Sequence, residues 1–196
     1  MHPPVYLVRH GESEWNVRRL TQGQTKHPRL TAFGREQAAG AAGAIAADLA
    51  RLGLPADRLV TSDLVRAVET AQIVGERIGL VPELDVRLRE QHLGELEGRS
   101  YEDSWAQAEL HDWSDPELPL AGGESVGQVR RRLAAALAEL APGTPTVLVS
   151  HGDSIRSALA YLLGQSLTTT PWVAVPNGAV VRHDSGEVEW LCNAGC

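Results

Sequence analysis

Short apolar runs alternate with longer segments of helical spacing along most of the chain. The apolar runs predict strands, and the last two flank Asp184-Ser185-Gly186, which predicts a hairpin. The predicted strands are Val5–Val8, Arg58–Ser62, a weaker extended segment at Leu84–Leu88, Thr146–Val149, Ala179–Arg182 and Val188–Leu191. The predicted helices run from Thr31 to Leu52, Asp63 to Gly79, Ser125 to about Leu140, and Asp153 or Ser154 to near Gly164, with Thr31, Asp63 and Ser125 as caps.

The stretch between Arg89 and Ser125 follows no single period. We expect a short helix between Tyr101 and Trp113, loops around its Pro and Gly residues, and a lid-like segment over about 90–125. Trp105 and Trp113 have two possible roles. The favoured interpretation is that they pack this segment onto the sheet. The alternative is that they help to select the substrate, if the segment forms a lid.

The order of these elements predicts an α/β fold. Strands that alternate with helices are typical of a mainly parallel sheet covered on both faces, so we expect a three-layer α/β/α sandwich. No linker rich in Pro, Gly or Ser divides the 196 residues, which predicts a single domain over 1–196.

Composition narrows the function classes. The formal net charge is -7, which disfavours a nucleic-acid binder. No apolar run approaches the roughly 20 residues of a membrane helix, and the N-terminus lacks the features of a signal peptide, so we expect a cytoplasmic protein without membrane partners. The only cysteines, Cys192 and Cys196, do not make a disulfide scaffold or a zinc site with companion ligands. Lys26 is the only lysine, and the heavy use of Ala, Gly, Leu and Arg is typical of a GC-rich bacterial genome.

Polar residues follow the predicted strands at the points where each strand ends. The chain reads VYLVRHGES early and TVLVSHGDS late, so that an apolar strand is followed by His-Gly twice. Ligands of such sheets bind outside the carboxyl ends of the strands. The residues placed there include Arg9 and His10, Arg66 after the second strand, and His151 and Gly152.

These residue types suit a small dianion. A neutral imidazole is a nucleophile near pH 7, and an arginine matches the oxygens of a phosphate. A glycine after each histidine lets backbone N–H groups approach the ligand. The set predicts phosphoryl transfer without a metal or cofactor.

The chain resembles the histidine phosphatase superfamily, which includes the cofactor-dependent phosphoglycerate mutases. The matching phrases occur in family order: LVRHGESEWN at Leu7–Asn16, Gln22–Gly23, LTAFGREQA at Leu30–Ala38, TSDLVRAVETA at Thr61–Ala71, LREQHLGELEG at Leu88–Gly98, GGES at Gly122–Ser125 and VSHGDSIR at Val149–Arg156. The resemblance implies the phosphoglycerate mutase-like fold and, from the E-x-x-x-G-x-x-E-G setting of Glu90, its phosphatase branch.

The resemblance also implies a role for each matching residue. His10 is the implied nucleophile, and Glu90 the general acid and base. The implied phosphoryl ligands are Arg9, Arg66 and His151. Asn16 and the backbone of Gly152 are expected to add hydrogen bonds, and Gln22 and Gly23 to contact the rest of the substrate.

One loop departs from the family pattern. After Gln22–Gly23 the family usually continues to an acidic residue and Pro-Leu-Thr, whereas here Lys26 stands near the acid and Arg29 looks inserted. The substrate contacts of Gln24–Arg29 are therefore open, and the catalytic set is not affected.

Several other readings stay open on the sequence alone. The two histidines are alternatively core residues or ligands of one metal, although neighbouring arginines would repel a cation. A phosphoglycerate mutase is the first alternative function, and a phosphate-binding module without turnover is the second. We expect a small-molecule phosphate monoester as the substrate, of unspecified identity, and allow for a homodimer. The run Arg130–Arg132 is interpreted as the solvated face of a helix.

Overall fold

The computed structural model describes residues 4–140, 144–166 and 172–193. Its described strands form one mostly parallel sheet in the order β3-β2-β4-β1-β5-β6. The strands are β1 (Val5–Arg9), β2 (Arg58–Thr61), β3 (Glu83–Leu84), β4 (Thr146–Ser150), β5 (Val180–Asp184) and β6 (Glu187–Cys192). Strands β1 to β4 pair in parallel, and β5 and β6 form the predicted antiparallel hairpin at one edge.

Helices cover both faces of this sheet. The helices of the described residues are α1 (Glu14–Val17), α2 (Ala32–Leu52), α3 (Val65–Ile78), α4 (Tyr101–Glu109), α5 (Val126–Ala138) and α6 (Gly152–Leu162), of which α2, α3, α5 and α6 pack on the sheet. Side chains alternate along β1, so that Val5 and Leu7 pack in the core beneath α5 and α6, whereas Tyr6 and Val8 pack in the core beneath α2 and α3. The predicted three-layer α/β/α sandwich is thereby confirmed.

The register of the sheet brings the two His-Gly pairs together. Arg9 of β1 pairs in parallel with Ser150 of β4, and the backbone N–H of His10 donates to the Ser150 carbonyl at 3.1 Å. His151 therefore leaves its strand at the same edge as His10. Neighbouring parallel strands have their carboxyl ends at the same edge of the sheet. The two His-Gly pairs therefore form one site rather than two.

Two local predictions were wrong or incomplete. Asp63 does not cap α3, because its carboxylate accepts from the Arg89 guanidinium at 2.6 Å, and the N-cap is Leu64, which has no side-chain cap bond. The loop before Arg29 contains α1, whose capping box joins Ser13 and Asn16.

Two boundaries also differ from those predicted. The extended segment at Leu84–Leu88 is a strand only at Glu83–Leu84, and continues as a 3₁₀ turn at Val86–Leu88. Helix α6 begins at Gly152, one to two residues before the predicted start. Within the described residues, no helix is long and apolar enough to cross a membrane. Cys196, at the chain end, lies outside them.

Candidate active site

The His10 side chain is buried, with 2% of its surface exposed, at the carboxyl end of β1. Its Nδ1 lies 2.7 Å from the Gly11 carbonyl oxygen. Because a carbonyl only accepts, Nδ1 carries the proton and Nε2 keeps its lone pair. The Nε–H of Arg66 donates to that Nε2 at 3.3 Å. The ring is therefore held in the tautomer that presents a nucleophilic nitrogen.

The surroundings of His10 keep it neutral. Burial, followed by the charges of Arg66 and Arg9, lowers the pKa of His10 well below its usual range. A neutral imidazole at physiological pH has its lone pair available for attack, whereas an imidazolium has none.

Arg66, in the first turn of α3, is held in place by backbone oxygens. Its Nη2 donates to the Gly23 carbonyl at 2.8 Å and its Nη1 to the Thr25 carbonyl at 3.0 Å. Burial, the largest cause, lowers the pKa of Arg66 to about 10. The guanidinium therefore stays charged at neutral pH in a buried position, where it polarises a ligand strongly.

Arg9 extends from the end of β1 toward the start of α6. Its Nη1 donates to the Val175 carbonyl at 2.5 Å, while its buried Nε has no hydrogen-bond partner among the described residues. A Cβ added to Gly152 would lie 3.7 Å from the Arg9 Cζ, which places the Arg9 guanidinium next to the first residue of α6. The unpaired donor suits an oxygen of a bound anion.

His151 lies directly behind His10 and is fully buried. The two ring centroids are 5.1 Å apart, and His151 Nε2 lies 2.9 Å from the Ser62 hydroxyl. Its Nδ1 has no hydrogen-bond partner among the described residues. Burial and the charge of Arg66 lower the pKa of His151 well below its usual range, so this ring is neutral as well.

Glu90 sits at the N-terminus of α6 and is partly buried. One carboxylate oxygen accepts from the Ser154 N–H at 3.1 Å and the Gln91 N–H at 3.0 Å, and the other from the Asp153 N–H at 3.3 Å. Burial and then the nearby charge of Asp153 raise the pKa of Glu90, while the Gln91 N–H and the charges of Arg9 and Arg66 act in the opposite direction. A carboxyl that keeps its proton to higher pH is suited to donate one.

The Arg132 side chain supports the Glu90 segment from behind. Its guanidinium donates to the carbonyl oxygens of Arg87, Arg89 and Glu90 at 2.7 to 2.9 Å. It also pairs with Glu124 at 2.8 Å. The interpretation of Arg130–Arg132 as a solvated face was therefore wrong for Arg132, whose side chain is 16% exposed.

Most of the predicted site residues reach one cavity, of about 560 Å³. Of the nine predicted site residues, seven line it: Arg9, His10, Asn16, Gln22, Gly23, Arg66 and Glu90. The other two are buried beside lining residues, His151 next to the His10 ring and Gly152 next to Arg9. Asn16 and Gln22 are positioned through Ser13, whose hydroxyl donates to Gln22 at 2.8 Å and whose N–H donates to Asn16 at 3.0 Å.

Tryptophans form the outer part of this cavity. Trp105 is 57% exposed and Trp113 is 50% exposed, and both line the cavity together with Trp172. The favoured prediction, that Trp105 and Trp113 pack the irregular segment onto the sheet, was wrong, and the alternative that places them at the substrate fits their position.

The unusual loop borders the site from outside. Gln24–Arg29 contributes no lining residue, although Gln24 donates to the Glu90 carbonyl at 3.0 Å. Arg29 is mostly exposed and pairs with Glu69 at 3.0 Å. The loop therefore contacts the site through the Gln24 side chain and through the Thr25 carbonyl, which accepts from Arg66.

Asn177 is a functional neighbour that sequence reasoning missed. Its amide donates to the His10 carbonyl at 3.1 Å, and the next N–H, that of Gly178, donates to the same oxygen at 3.2 Å. The Asn-Gly pair signals only a turn. Nothing in the sequence indicates that this turn lies against β1.

Glycines allow the nucleophile's loop to pack closely. A Cβ on Gly11 would lie 2.0 Å from the Gly34 carbonyl oxygen, and one on Gly34 would lie 2.0 Å from the Glu12 carbonyl oxygen. The loop after His10 thus rests directly on the first turn of α2.

In the described part of the chain, no cluster of three or more His, Cys, Asp or Glu side chains is arranged to hold a metal.

Comparison with known proteins identifies the family. The model of the histidine phosphatase superfamily (branch 1) matches residues 5–194. The probable phosphoglycerate mutase GpmB of Salmonella paratyphi C is 35% identical over 198 residues, covering 96% of this chain and 88% of the relative. Mycobacterial hydrolase 1 is similar in structure, with a TM-score of 0.82, 31% identity and coverage of 99% and 100% of the two chains.

A second solved structure carries a more specific name. The mycobacterial glucosyl-3-phosphoglycerate phosphatase in complex with VO3 is 33% identical, has a TM-score of 0.80 and covers 96% of either chain. Together with the match of the family model over nearly the whole length, these similarities show that the chain belongs to branch 1 of the histidine phosphatase superfamily.

Proposed function

We propose that this protein is a metal-independent phosphatase that hydrolyses a small-molecule phosphate monoester through a phosphohistidine at His10. The observation that carries the proposal is the state of His10. Its Nδ1 proton is held by the Gly11 carbonyl, and its Nε2 lone pair lies 3.3 Å from Arg66 Nε inside the cavity. A phosphoryl group that enters accepts that Nε–H and exposes the lone pair to phosphorus.

The first half-reaction transfers the phosphoryl group to the enzyme. The Nε2 lone pair of His10 forms the N–P bond while the P–O bond to the alcohol breaks. The electron pair of that bond moves to the leaving oxygen, which takes the proton of the Glu90 carboxyl. The raised pKa of Glu90 favours this proton transfer, which contributes typically about 10²–10⁴-fold.

The second half-reaction returns the enzyme to its starting state. Water loses a proton to the Glu90 carboxylate as its oxygen bonds to phosphorus. The N–P bond breaks, its electron pair returns to Nε2, and inorganic phosphate leaves. Arg9, Arg66 and the neutral His151 stabilise the charge on the phosphoryl oxygens in both steps, with hydrogen bonds from Asn16 and the Gly152 N–H.

A phosphoglycerate mutase is the second candidate, because several curated relatives carry that name. A mutase passes the phosphoryl group to a second hydroxyl, whereas a phosphatase passes it to water. The short interval between Glu90 and Gly122–Ser125 supports the phosphatase, because the mutases of this group have an extra insertion in that interval.

The test separates chemistry from binding. We expect His10→Ala to abolish phosphate release from p-nitrophenyl phosphate. When the wild type reacts with labelled substrate and is quenched rapidly without acid, we expect to isolate an alkali-stable phosphohistidine. His27→Ala, a change at an exposed histidine, is the matched control. Full activity of His10→Ala, loss of activity with a chelator, or conversion of 3-phosphoglycerate to its isomer faster than phosphate release would each contradict the proposal.

Cytoplasmic location, a single domain over 1–196, the absence of nucleic-acid partners and a possible homodimer stay predictions of the sequence.

A further inference from the structure

The cavity changes character with distance from His10. Its inner end holds the histidine, two arginines and Glu90, and the rest of the lining combines polar side chains, such as Thr21, Gln91 and Ser104, with a wall of aromatic and aliphatic ones. That wall comprises Leu93, Leu96, Trp105, Trp113, Leu120 and Val126. The leaving alcohol of any phosphate ester bound at His10 must point toward this wall, since the arginines occupy the inner end.

Beyond the two arginines beside His10, the described lining of the cavity holds a single further cation. Among the described residues that line the cavity, the cations are Arg9, Arg66 and Arg156. Arg156 is already paired with Asp153 and stacks 4.6 Å from the centre of the Trp172 ring. Beyond the phosphoryl end, the described lining therefore offers no unpaired cation to a carboxylate or a second phosphate, and burying such a group there would be costly.

The aromatic wall is fixed before any ligand arrives. The Trp113 Nε1–H donates to the Ala108 carbonyl at 2.8 Å, and Trp105 stacks on Tyr101 with ring centres 5.7 Å apart. The Tyr101 hydroxyl in turn accepts from Asn16 at 3.2 Å, and the Arg19 guanidinium lies 5.7 Å from the Trp105 ring centre. Rings held in this way lose little conformational freedom on binding, which favours affinity.

Exposure of these rings leaves apolar surface uncovered. Half or more of Trp105 and Trp113 is in contact with solvent at the mouth of a cavity too large for a phosphoryl group alone. Apolar surface removed from water stabilises a complex by about 25 cal/mol per Å². A ligand that covers both rings therefore gains affinity that a polar alcohol of similar size does not.

We propose that the substrate is the phosphate monoester of an apolar alcohol that bears a ring and no second charged group. The phosphoryl end binds at His10, and the ring lies against Trp105 and Trp113. This inference rests on the proposed phosphatase function and makes 3-phosphoglycerate a poor substrate.

The test compares esters whose alcohols leave with similar difficulty. We expect kcat/KM for 2-phenylethyl phosphate to exceed that for glycerol 3-phosphate and 3-phosphoglycerate roughly 10- to 100-fold, as burial of one ring implies. 2-Cyclohexylethyl phosphate separates an aromatic preference from a purely apolar one. A rate with it as high as with the phenyl ester supports the apolar requirement without an aromatic contact.

Variants of the two tryptophans test whether the apolar wall causes the preference for a ring-bearing ester. We expect Trp105→Ala and Trp113→Ala each to lower kcat/KM for 2-phenylethyl phosphate at least about fivefold while that for glycerol 3-phosphate changes less than about twofold. Leu110→Ala, an apolar truncation in the same segment but outside the cavity, is the matched control. Equal losses on both esters would overturn the inference.

Binding provides a readout independent of turnover. We expect calorimetry to show tighter binding of 2-phenylethylphosphonate than of phosphonoacetate, with the difference reduced in Trp113→Ala. Preferred turnover or binding of the doubly anionic compounds overturns the apolar-alcohol inference alone. The absence of both phosphate release and phosphohistidine overturns the proposed function. The relative affinities of the two phosphonates then still show whether the wall prefers an apolar ring to a second anionic group.

Discussion

The Nε of Arg66 lies 3.3 Å from the Nε2 of His10, and both side chains are almost completely buried. The Nε–H of Arg66 donates to the lone pair on Nε2, which is the position where the neutral ring would accept a proton. Protonation there would place an imidazolium directly against the fixed guanidinium. The same geometry therefore determines the protonation state of the nucleophile and places a cation where charge accumulates on the transferring phosphoryl group.

The titration of His10 should reflect that contact. In nuclear magnetic resonance spectra we expect no His10 titration near the ordinary histidine pKa of about 6.5, because burial, Arg66 and Arg9 depress its pKa. As pH falls, the ring stays neutral until well below that value. Arg66→Met removes one cation, so the His10 midpoint should rise, while Arg18→Met at an exposed position should leave it unchanged. A wild-type midpoint near 6.5 would refute the account.

Turnover should also fall in Arg66→Met. The variant removes a charged donor from the transferring phosphoryl group, and loss of one such donor costs about 10²–10³-fold in kcat. Arg66→Lys should restore only part of this loss, because an ammonium cannot reproduce the planar guanidinium that donates to His10, Gly23 and Thr25 at once.

The basic limb of the pH profile should depend on Asp153. Burial and the Asp153 charge raise the pKa of Glu90, so the carboxyl keeps its proton to higher pH than an ordinary glutamate and loses it as pH rises further. Asp153→Asn removes the like charge and releases Arg156 from its ion pair. Both effects lower the pKa of Glu90, so the fall of kcat/KM at high pH should begin at lower pH. An unchanged profile would show that Asp153 does not act on the catalytic acid.

The dependence on the leaving group should identify Glu90 as the acid. In single-turnover experiments, Glu90→Gln should slow phosphohistidine formation from an alkyl phosphate by about 10²–10⁴-fold. It should slow the reaction of p-nitrophenyl phosphate far less, since p-nitrophenolate leaves without a proton. Equal losses with the two esters would assign Glu90 a role other than proton donation. Glu95→Gln, in the same segment, is the control.

The sequence predicted the parts of this site that follow from strand ends. His10 and His151 each follow an apolar strand, and parallel pairing of those strands is enough to bring them to one edge. The resemblance added Glu90, which has no such signal. Asn177 and the wall tryptophans were missed or misassigned, because their positions depend on how irregular segments pack. Hydrophobic periodicity carries no signal in such segments, and a Trp in them gives the same sequence pattern whether it covers a core or lines a cavity.

Arg132 and Arg131 are adjacent on α5 but should behave oppositely when replaced. The Nη2 of Arg132 donates to the Glu90 carbonyl at 2.9 Å, and the same guanidinium binds two further carbonyls upstream. Arg131 pairs with Glu117 on the surface, and exposed pairs contribute about 0–1 kcal/mol. Arg132 is thus a positioning residue for the catalytic acid, and Arg131 is its matched control.

We expect Arg132→Met to lower kcat about tenfold or more with little change in KM, because a misplaced acid weakens the transition state while the phosphoryl ligands stay in place. The loss should be greater for alkyl phosphates than for p-nitrophenyl phosphate, which a merely less stable enzyme would not show. Arg131→Met should retain wild-type kinetics. Circular dichroism at the assay temperature verifies that Arg132→Met is folded, and equal losses on both esters by a folded variant would remove Arg132 from the support of Glu90.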